Sequence, residues 1–192
     1  QEDLPALTAT ALEPLVTGEV RTEGLIRPAG RWVQVQKAIG SGGVLRESLV
    51  KGGWDWVVLQ EQSQIPGFLG GNTEWDKSLK ALKTIEGRII PTGAQTALMM
   101  TWGYRDGDPK NPEVYPDFES MEARLEEGYG IYATAIGSRG RPPTMIPVGP
   151  AYKRVYMDAF SAGRDPLDPD GVFAALYRAD GQHPSLAGSW LA

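Results

Sequence analysis

The segment Asp180-Gly181-Gln182-His183-Pro184-Ser185 contains residues of the type and spacing that general-base catalysis needs. A carboxylate three residues before an imidazole, in a loop with a glycine, can fold back and accept the Nδ1 hydrogen of His183 while Nε2 faces a cleft. Pro184 restricts His183 to extended conformations, and Ser185 can cap a following helix. The pattern predicts His183 as a base that Asp180 orients. The alternative for the same residues is a solvated His in a surface loop.

The composition limits what other chemistry the chain can carry. It has 192 residues with one His and no Cys, which excludes a thiolate nucleophile, an iron–sulfur cluster, a Cys-based zinc site and a cluster of His ligands. We therefore expect neither a metal nor another cofactor. The net charge of -5 argues against nucleic acid as a partner. No apolar run approaches the roughly 18 residues that a membrane span needs, so the chain predicts a single globular domain without such a span.

Hydrophobic patterning predicts strands that alternate with helices. Period-two alternation or short β-branched runs indicate strands at 31–39, 54–59, 96–102 and 143–148. Apolar residues at helical spacing indicate helices at 4–16, 44–50, 72–87, 118–136 and 151–161, and a last helix is expected to begin near Ser185. This order predicts an α/β fold with a mostly parallel sheet covered on both faces. Such a domain normally begins with a strand, so we expect the first strand to be missing from the chain.

The carboxyl ends of the strands are where a parallel α/β sheet binds its ligands. The predicted ends carry Gly40-Ser41-Gly42-Gly43, Gln60-Glu61-Gln62-Ser63 and Trp102-Gly103-Tyr104-Arg105-Asp106. The rings of Trp102 and Tyr104 and the guanidinium of Arg105 suit a sugar or an acyl group, whereas the alternative is a packed strand end with a solvated Arg. At such a position Glu61 is more often a hydrogen-bonding brace than an acid or a base.

Several of these segments resemble the SGNH (GDSL-like) hydrolases, in particular a bacterial branch of that superfamily. Asp180 to Ser185, followed by Gly188 to Ala192, is similar to the closing Asp-x-x-His block. Trp54-Asp55-Trp56-Val57-Val58-Leu59-Gln60-Glu61-Gln62-Ser63 resembles the third block of that branch, and Gly42-Gly43-Val44-Leu45 its glycine block. Met100-Thr101-Trp102-Gly103 and Pro147-Val148-Gly149 resemble its other strand ends. The similarity extends over essentially the whole chain, in the same order.

The resemblance implies a three-layer α/β/α hydrolase with a Ser-His-Asp triad, in which His183 is the base and Asp180 its orienting carboxylate. It also implies an oxyanion hole built from the N–H of the nucleophile, a Gly N–H and a side-chain amide, all of which stabilise developing negative charge. Gly43 is expected to supply the Gly N–H, with Gly42 as second choice. The expected amide comes from one of two glutamines, and spacing does not decide between them: Gln60 or Gln62.

The nucleophile of this superfamily lies in a Gly-Asn/Asp-Ser block, and no such block occurs in the 192 residues. Gln1 to Pro5 resembles the stretch that follows that block, and Ala192 falls within the last helix, so we expect a single domain that is truncated at both ends. The Ser is then expected from a missing N-terminal segment or from a second chain. Ser63 is a poor substitute, because it lacks the Gly-x-Ser-x-Gly turn that holds a nucleophile in place.

These features predict an SGNH-type serine esterase whose partner is a small-molecule or carbohydrate ester. The polar, Trp-bearing strand ends favour O-acetyl groups on a carbohydrate as the substrate. The alternative is a catalytically inactive carbohydrate-binding module with the same scaffold. The compartment is not encoded in these residues, and the bacterial branch is compatible with a periplasmic or secreted protein.

Overall fold

The computed structural model of the protein describes residues 31–137 and 141–192. In these ranges three parallel strands form one sheet in the order β1-β2-β3. The strands are β1 (Trp56–Leu59), β2 (Gln95–Met99) and β3 (Thr144–Ile146). The register places Trp56 beside Gln95 and Ala97 beside Thr144. The helix predicted at 4–16 lies outside the described residues.

The helices of the described ranges alternate with these strands. They are α1 (Trp32–Gly40), α2 (Val44–Lys51), α3 (Ile65–Phe68), α4 (Thr73–Ile89), α5 (Phe118–Gly137), α6 (Val148–Ser161) and α7 (Leu186–Leu191). Two short 3₁₀ turns, Ile90–Thr92 and Ala174–Leu176, precede β2 and the last loop. None of the helices in the described ranges has the length and apolar character to cross a bilayer.

Helices pack on both faces of the sheet. Leu98 points to one face, where α1, α4 and α5 contribute a core that includes Trp32, Trp75, Leu82, Ile85, Tyr129, Tyr132 and Ile136. Met99 points to the other face, where a second core contains Ile146, Val148, Tyr152, Phe173, Leu176 and Tyr177. Successive residues of a strand point to opposite faces, so these two cores define three layers. The predicted α/β class is confirmed.

The predicted strand at 31–39 is wrong, because these residues form α1. Trp32 and Ile39 are both buried and lie seven residues apart, which is two helical turns and places them on one face. The first turn of a helix leaves backbone N–H groups without partners. Here the N–H of Trp32 donates to Oε1 of Glu61 at 3.0 Å, so a long-range contact favours the helix over the local alternation.

The other elements predicted within the described residues are present with shifted ends. Asn72 caps α4 by accepting from the N–H of Glu74, and Ser185 caps α7 by accepting from the N–H of Gly188. The strand predicted at 96–102 ends at Met99, although the N–H of Met100 still donates to the carbonyl of Ile146. The short helix α3 was not predicted, since four residues that include a Pro and a Gly carry no periodic signal.

Candidate active site

His183 and Asp180 form a hydrogen-bonded pair at the tip of an exposed loop. Oδ2 of Asp180 accepts from Nδ1 of His183 at 2.8 Å. Its Oδ1 accepts from the N–H groups of Gln182 at 2.8 Å and of His183 at 2.9 Å. Because Nδ1 is held by the carboxylate, Nε2 is the ring nitrogen available to take a proton. The geometry is that of an oriented general base.

Hydrogen bonds also set the electrostatics of this carboxylate. The N–H groups of His183 and Gln182, followed by the imidazole, hold the pKa of Asp180 at about 2, below its ordinary value of 3.8. Asp180 is therefore ionised at neutral pH. An ionised partner stabilises the imidazolium that forms when His183 accepts a proton.

We expect the charge of Asp180 to stabilise the fold in a pH window that its lowered pKa defines. The folded state binds this proton less tightly than the unfolded state, so the stabilisation is complete above about pH 4 and is lost as the pH falls through about 2. The measurement is the difference in thermal unfolding midpoint between the wild type and Asp180→Asn from pH 7 to pH 2. The difference in midpoint should shrink toward pH 2. A difference that stays constant from pH 7 to pH 2 would contradict the lowered pKa of Asp180.

A short antiparallel turn holds the loop of His183 in place. Tyr177 and Pro184 form an isolated β-bridge, and the N–H of Arg178 donates to the carbonyl of His183 at 2.9 Å. Gly181 occupies the turn with φ of 67°, a left-handed conformation that glycine adopts without strain. The backbone thus fixes the approach of the imidazole before any side chain contributes.

The same loop is attached to the segment that follows β2. The indole Nε1 of Trp102 donates to the carbonyl of Gln182 at 3.0 Å, and the N–H of Arg105 donates to the carbonyl of Gly181 at 2.8 Å. The ring of Trp102 stacks on Tyr152 with centroids 5.2 Å apart. His183 is therefore held at the carboxyl ends of the strands, where ligands of such sheets bind.

The three predicted substrate contacts lie beside the loop of His183, and each has a partner within the protein. Trp102 is half-buried against the loop as described above. Tyr104 is buried, and its hydroxyl is 3.1 Å from Oγ of Ser63. The guanidinium of Arg105 pairs with Asp106 at 2.6 Å. These side chains support the loop, and their contact with a substrate stays a prediction.

The buried carboxylate of Glu122, which no sequence motif indicated, supports the segment that follows β2. Oε2 of Glu122, on α5, accepts from the N–H of Gly103 at 2.8 Å. The hydroxyl of Tyr177 donates to the carbonyl of Gly103 at 2.7 Å. Burial raises the pKa of Glu122 to about 7. Gly103 is thus held by α5 through its N–H and by Tyr177, at the start of the loop of His183, through its carbonyl.

The loop after β1 carries the two candidate amides. Gln60 is exposed at the end of the strand, whereas Gln62 is half-buried and its Nε2 donates to Oε1 of Gln64 at 2.8 Å. The carbonyl of Ser63 accepts from the hydroxyl of Thr101 at 3.3 Å. The structure therefore joins the Gln62 loop to the segment after β2, which in turn holds the loop of His183.

Glu61 is a structural brace in this arrangement. Its Oε1 accepts from the N–H groups of Trp32 at 3.0 Å and of Gln62 at 2.9 Å, and its Oε2 accepts from the hydroxyl of Ser78. Burial raises the pKa of Glu61 in spite of these donors. The carboxylate ties together β1, α1 and α4 and fixes the backbone of the residue that follows it.

Gly43 lies away from this group. It is the exposed N-cap residue directly before α2, with φ of 97°. Its neighbours Ile39 and Arg46 line a cavity of about 320 Å³ whose other walls include Gly87, Arg88, Pro91 and Thr92. Those residues lead from the end of α4 into the start of β2, so they mark the amino ends of the strands. The structure brings Gln62 into the network that holds His183 and does not bring Gly43 or Gly42 there.

The reason for this placement is the correction of the first predicted strand. Gly42 and Gly43 were expected at a strand end because residues 31–39 were expected to be a strand. In the structure, residues 31–39 belong to α1, which runs from Glu61 at the carboxyl end of β1 toward the amino ends of the strands.

In the described part of the chain, no cluster of three or more His, Cys, Asp or Glu side chains could hold a metal ion.

Two solved structures have folds similar to that of this chain. One is a candidate SGNH hydrolase from Slackia heliotrinireducens, with a TM-score of 0.58 and 26% identity, over 84% of this chain and 74% of that one. The other is a DUF4886 family protein from Bacteroides uniformis ATCC 8492, with a TM-score of 0.55 and 19% identity, over 77% of this chain and 52% of that one. No protein-family model and no curated protein matches the chain. The first similarity supports an SGNH-hydrolase-like fold and a function as a hydrolase. The second similarity shows the fold alone.

Proposed function

We propose that this chain carries the His-Asp part of a serine esterase of the SGNH type, with the nucleophilic Ser supplied from outside these 192 residues. The observation that carries the proposal is the pair of His183 and Asp180, 2.8 Å apart, on a loop fastened to the carboxyl ends of the strands. Similarity to a candidate SGNH hydrolase supports the same reaction class.

The reaction proceeds by acyl transfer. The Ser hydroxyl attacks the ester carbonyl, and Nε2 of His183 takes its proton. The imidazolium, stabilised by Asp180, then gives that proton to the departing alcohol, which leaves an acyl-Ser. Water attacks the acyl-Ser with His183 again accepting the proton, and the imidazolium returns this proton to the Ser oxygen as the acid leaves.

Gln62 is the better candidate for the amide of the oxyanion hole. Its Nε2 carries two hydrogens, and Oε1 of Gln64 accepts only one of them. Its loop contacts the segment that holds His183, and its backbone N–H is fixed by Glu61. Gln60 is exposed at the strand end and shares none of these anchors among the contacts described above. Gly43 is not part of the proposal, because it lies toward the amino ends of the strands.

The proposed substrate is an acetylated carbohydrate. Trp102 lies half-buried beside the loop of His183. An aromatic ring beside polar side chains suits a sugar, which supports a carbohydrate ester as the substrate. The alternative of a binding module is favoured by the absence of a Gly-Asn/Asp-Ser block from the sequence.

The experiment compares Gln62→Ala with Gln60→Ala in the full-length product of the gene, using hydrolysis of p-nitrophenyl acetate. Loss of one oxyanion donor lowers kcat by about 10²–10³-fold. We expect a loss of this size for Gln62→Ala and less than about twofold for the matched Gln60→Ala. The reverse pattern would move the donor to Gln60. No hydrolysis by the wild type, together with binding of acetylated carbohydrate, would replace the esterase with the binding module.

A further inference from the structure

Three polar side chains form a line that ends at the proposed oxyanion donor. Oδ2 of Asp108 accepts from Nε2 of Gln64 at 3.3 Å. Oε1 of Gln64 accepts from Nε2 of Gln62 at 2.8 Å. Asp108 is 44 residues from Gln64 in the chain, so the line exists only in the folded protein. Neither Gln64 nor Asp108 takes part in the bond-making steps of the proposed acyl transfer.

The order of donors along this line is fixed by the carboxylate. A carboxylate oxygen accepts hydrogen bonds, so the end of the Gln64 amide that faces Asp108 must be its NH₂. The other end of that amide is then an oxygen, and it can be satisfied only by a donor. Gln62 must therefore turn its own NH₂ toward Gln64, which leaves the second hydrogen of that NH₂ for another acceptor.

The carboxylate itself is held rigidly. Asp108 is 1% exposed, and its oxygens also accept from the N–H of Lys110 at 3.0 Å and from Nδ2 of Asn111 at 2.7 Å. Its N–H donates to the carbonyl of Tyr115 at 2.9 Å, and the hydroxyl of Tyr115 donates to the carbonyl of Gln64 at 2.5 Å. Both ends of the contact between Asp108 and Gln64 are thus anchored in the same loop.

We propose that Asp108 and Gln64 are positioning residues that keep the NH₂ group of Gln62 turned toward the oxyanion. This inference rests on the proposed esterase function. An amide that is free to turn over presents its oxygen to the oxyanion for part of the time, and that orientation repels the developing charge. The line from Asp108 removes that orientation in advance, so no reorganisation is needed as the charge forms.

The test is Asp108→Asn in the full-length protein, alone and combined with Gln62→Ala. An Asn at this position keeps the size of the side chain but can donate as well as accept, so it no longer dictates the direction of the two amides. We expect kcat for p-nitrophenyl acetate to fall by about tenfold with KM nearly unchanged, a part of the 10²–10³-fold that a whole donor contributes. In the Gln62→Ala background, Asp108→Asn should cause no further loss.

Asp165→Asn is the matched control. Oδ1 of Asp165 accepts from the N–H of Leu167 at 2.9 Å, the same local turn that Asp108 forms with Lys110. It lies in the loop after α6, and we expect no change in kcat. If Asp108→Asn prevents folding, Gln64→Met makes the same test, because it removes the amide and keeps the length of the side chain.

The outcomes separate the two proposals. An equal loss of kcat in both backgrounds, or no loss in the wild-type background, would overturn the positioning role of Asp108. If Gln62→Ala itself leaves kcat unchanged, the assignment of the oxyanion donor fails first, independently of Asp108.

Discussion

We expect His183→Ala to lower kcat for ester hydrolysis by at least about 10³-fold in the full-length protein, because the variant has no base to take the Ser proton. His183 is the only His of the chain, so no second imidazole can replace it. Its Nδ1 is already committed to Asp180, which leaves Nε2 as the single proton acceptor of the pair. KM should change little, since the ring acts mainly on the transition state.

The structure allows this variant to be compared at constant stability. The side chain of His183 is 70% exposed, so its removal leaves no buried cavity. We expect the thermal unfolding midpoint to stay close to that of the wild type, and the loss of rate is then a loss of chemistry. Equal hydrolysis rates for the two proteins would show that the imidazole has no part in the reaction.

We expect Gly128→Ala to lower the free energy of unfolding by about 3 kcal/mol, the upper part of the range for overpacking a close contact. A Cβ at Gly128 would lie 1.9 Å from the carbonyl oxygen of Pro66 and 2.5 Å from its carbon. Both are backbone atoms of α3, which cannot rotate away as a side chain can. Helices α5 and α3 would have to separate.

Gly130→Ala is the matched control for this change, since both glycines lie in α5 and only their surroundings differ. Apart from the backbone of its own helix and its two chain neighbours, no heavy atom lies within 4 Å of a Cβ placed at Gly130. We expect that variant to raise the free energy of unfolding by about 0.5–1 kcal/mol through the higher helix propensity of Ala. Urea unfolding of both variants gives the comparison, and equal effects would contradict the tight contact between α5 and α3.

The effect of Gly128→Ala should extend to the site. Helix α3 begins at Ile65, directly after the loop of Gln62 and Gln64. Nε of Arg124, also on α5, donates to the carbonyl of Gly67 at 2.8 Å and ties the two helices together. A shift of α3 would therefore move the proposed oxyanion donor relative to His183.

Local patterns predicted most of the fold. The helix at 118–136 is long and keeps one apolar face, so its period is unambiguous, and the structure places α5 at Phe118–Gly137. The short apolar run at 54–59 indicated a buried central strand. A strand, β1, lies there, but among the described residues it is at the edge of the sheet, with Trp56 and Val58 exposed. The strand prediction for residues 31–39 was wrong, because in only nine residues the strand period of two and the helix period of 3.6 can fit the same few apolar positions. The hydrogen bond from the N–H of Trp32 to Glu61 favours the helix, and a local pattern cannot reveal it because the two residues are 29 positions apart.

The contrast between local patterns and long-range contacts also explains which parts of the candidate site could be predicted. Asp180 and His183 are three residues apart, so the sequence alone brings their side chains together. The line from Asp108 to Gln62 depends on a contact across 44 residues and has no local signal. Gly43 was expected at a strand end through its resemblance to the glycine block. Its observed position depends on α1, which the local pattern predicted as a strand.

Covalent labelling shows whether His183 activates a Ser hydroxyl outside these 192 residues. The full-length protein is treated with an alkyl fluorophosphonate, which reacts with an activated Ser, and the labelled peptide is located by mass spectrometry. We expect one phosphonylated Ser outside the 192 residues in the wild type and none in His183→Ala. Labelling of Ser63, equal labelling of both proteins, or no labelling of the wild type would contradict it.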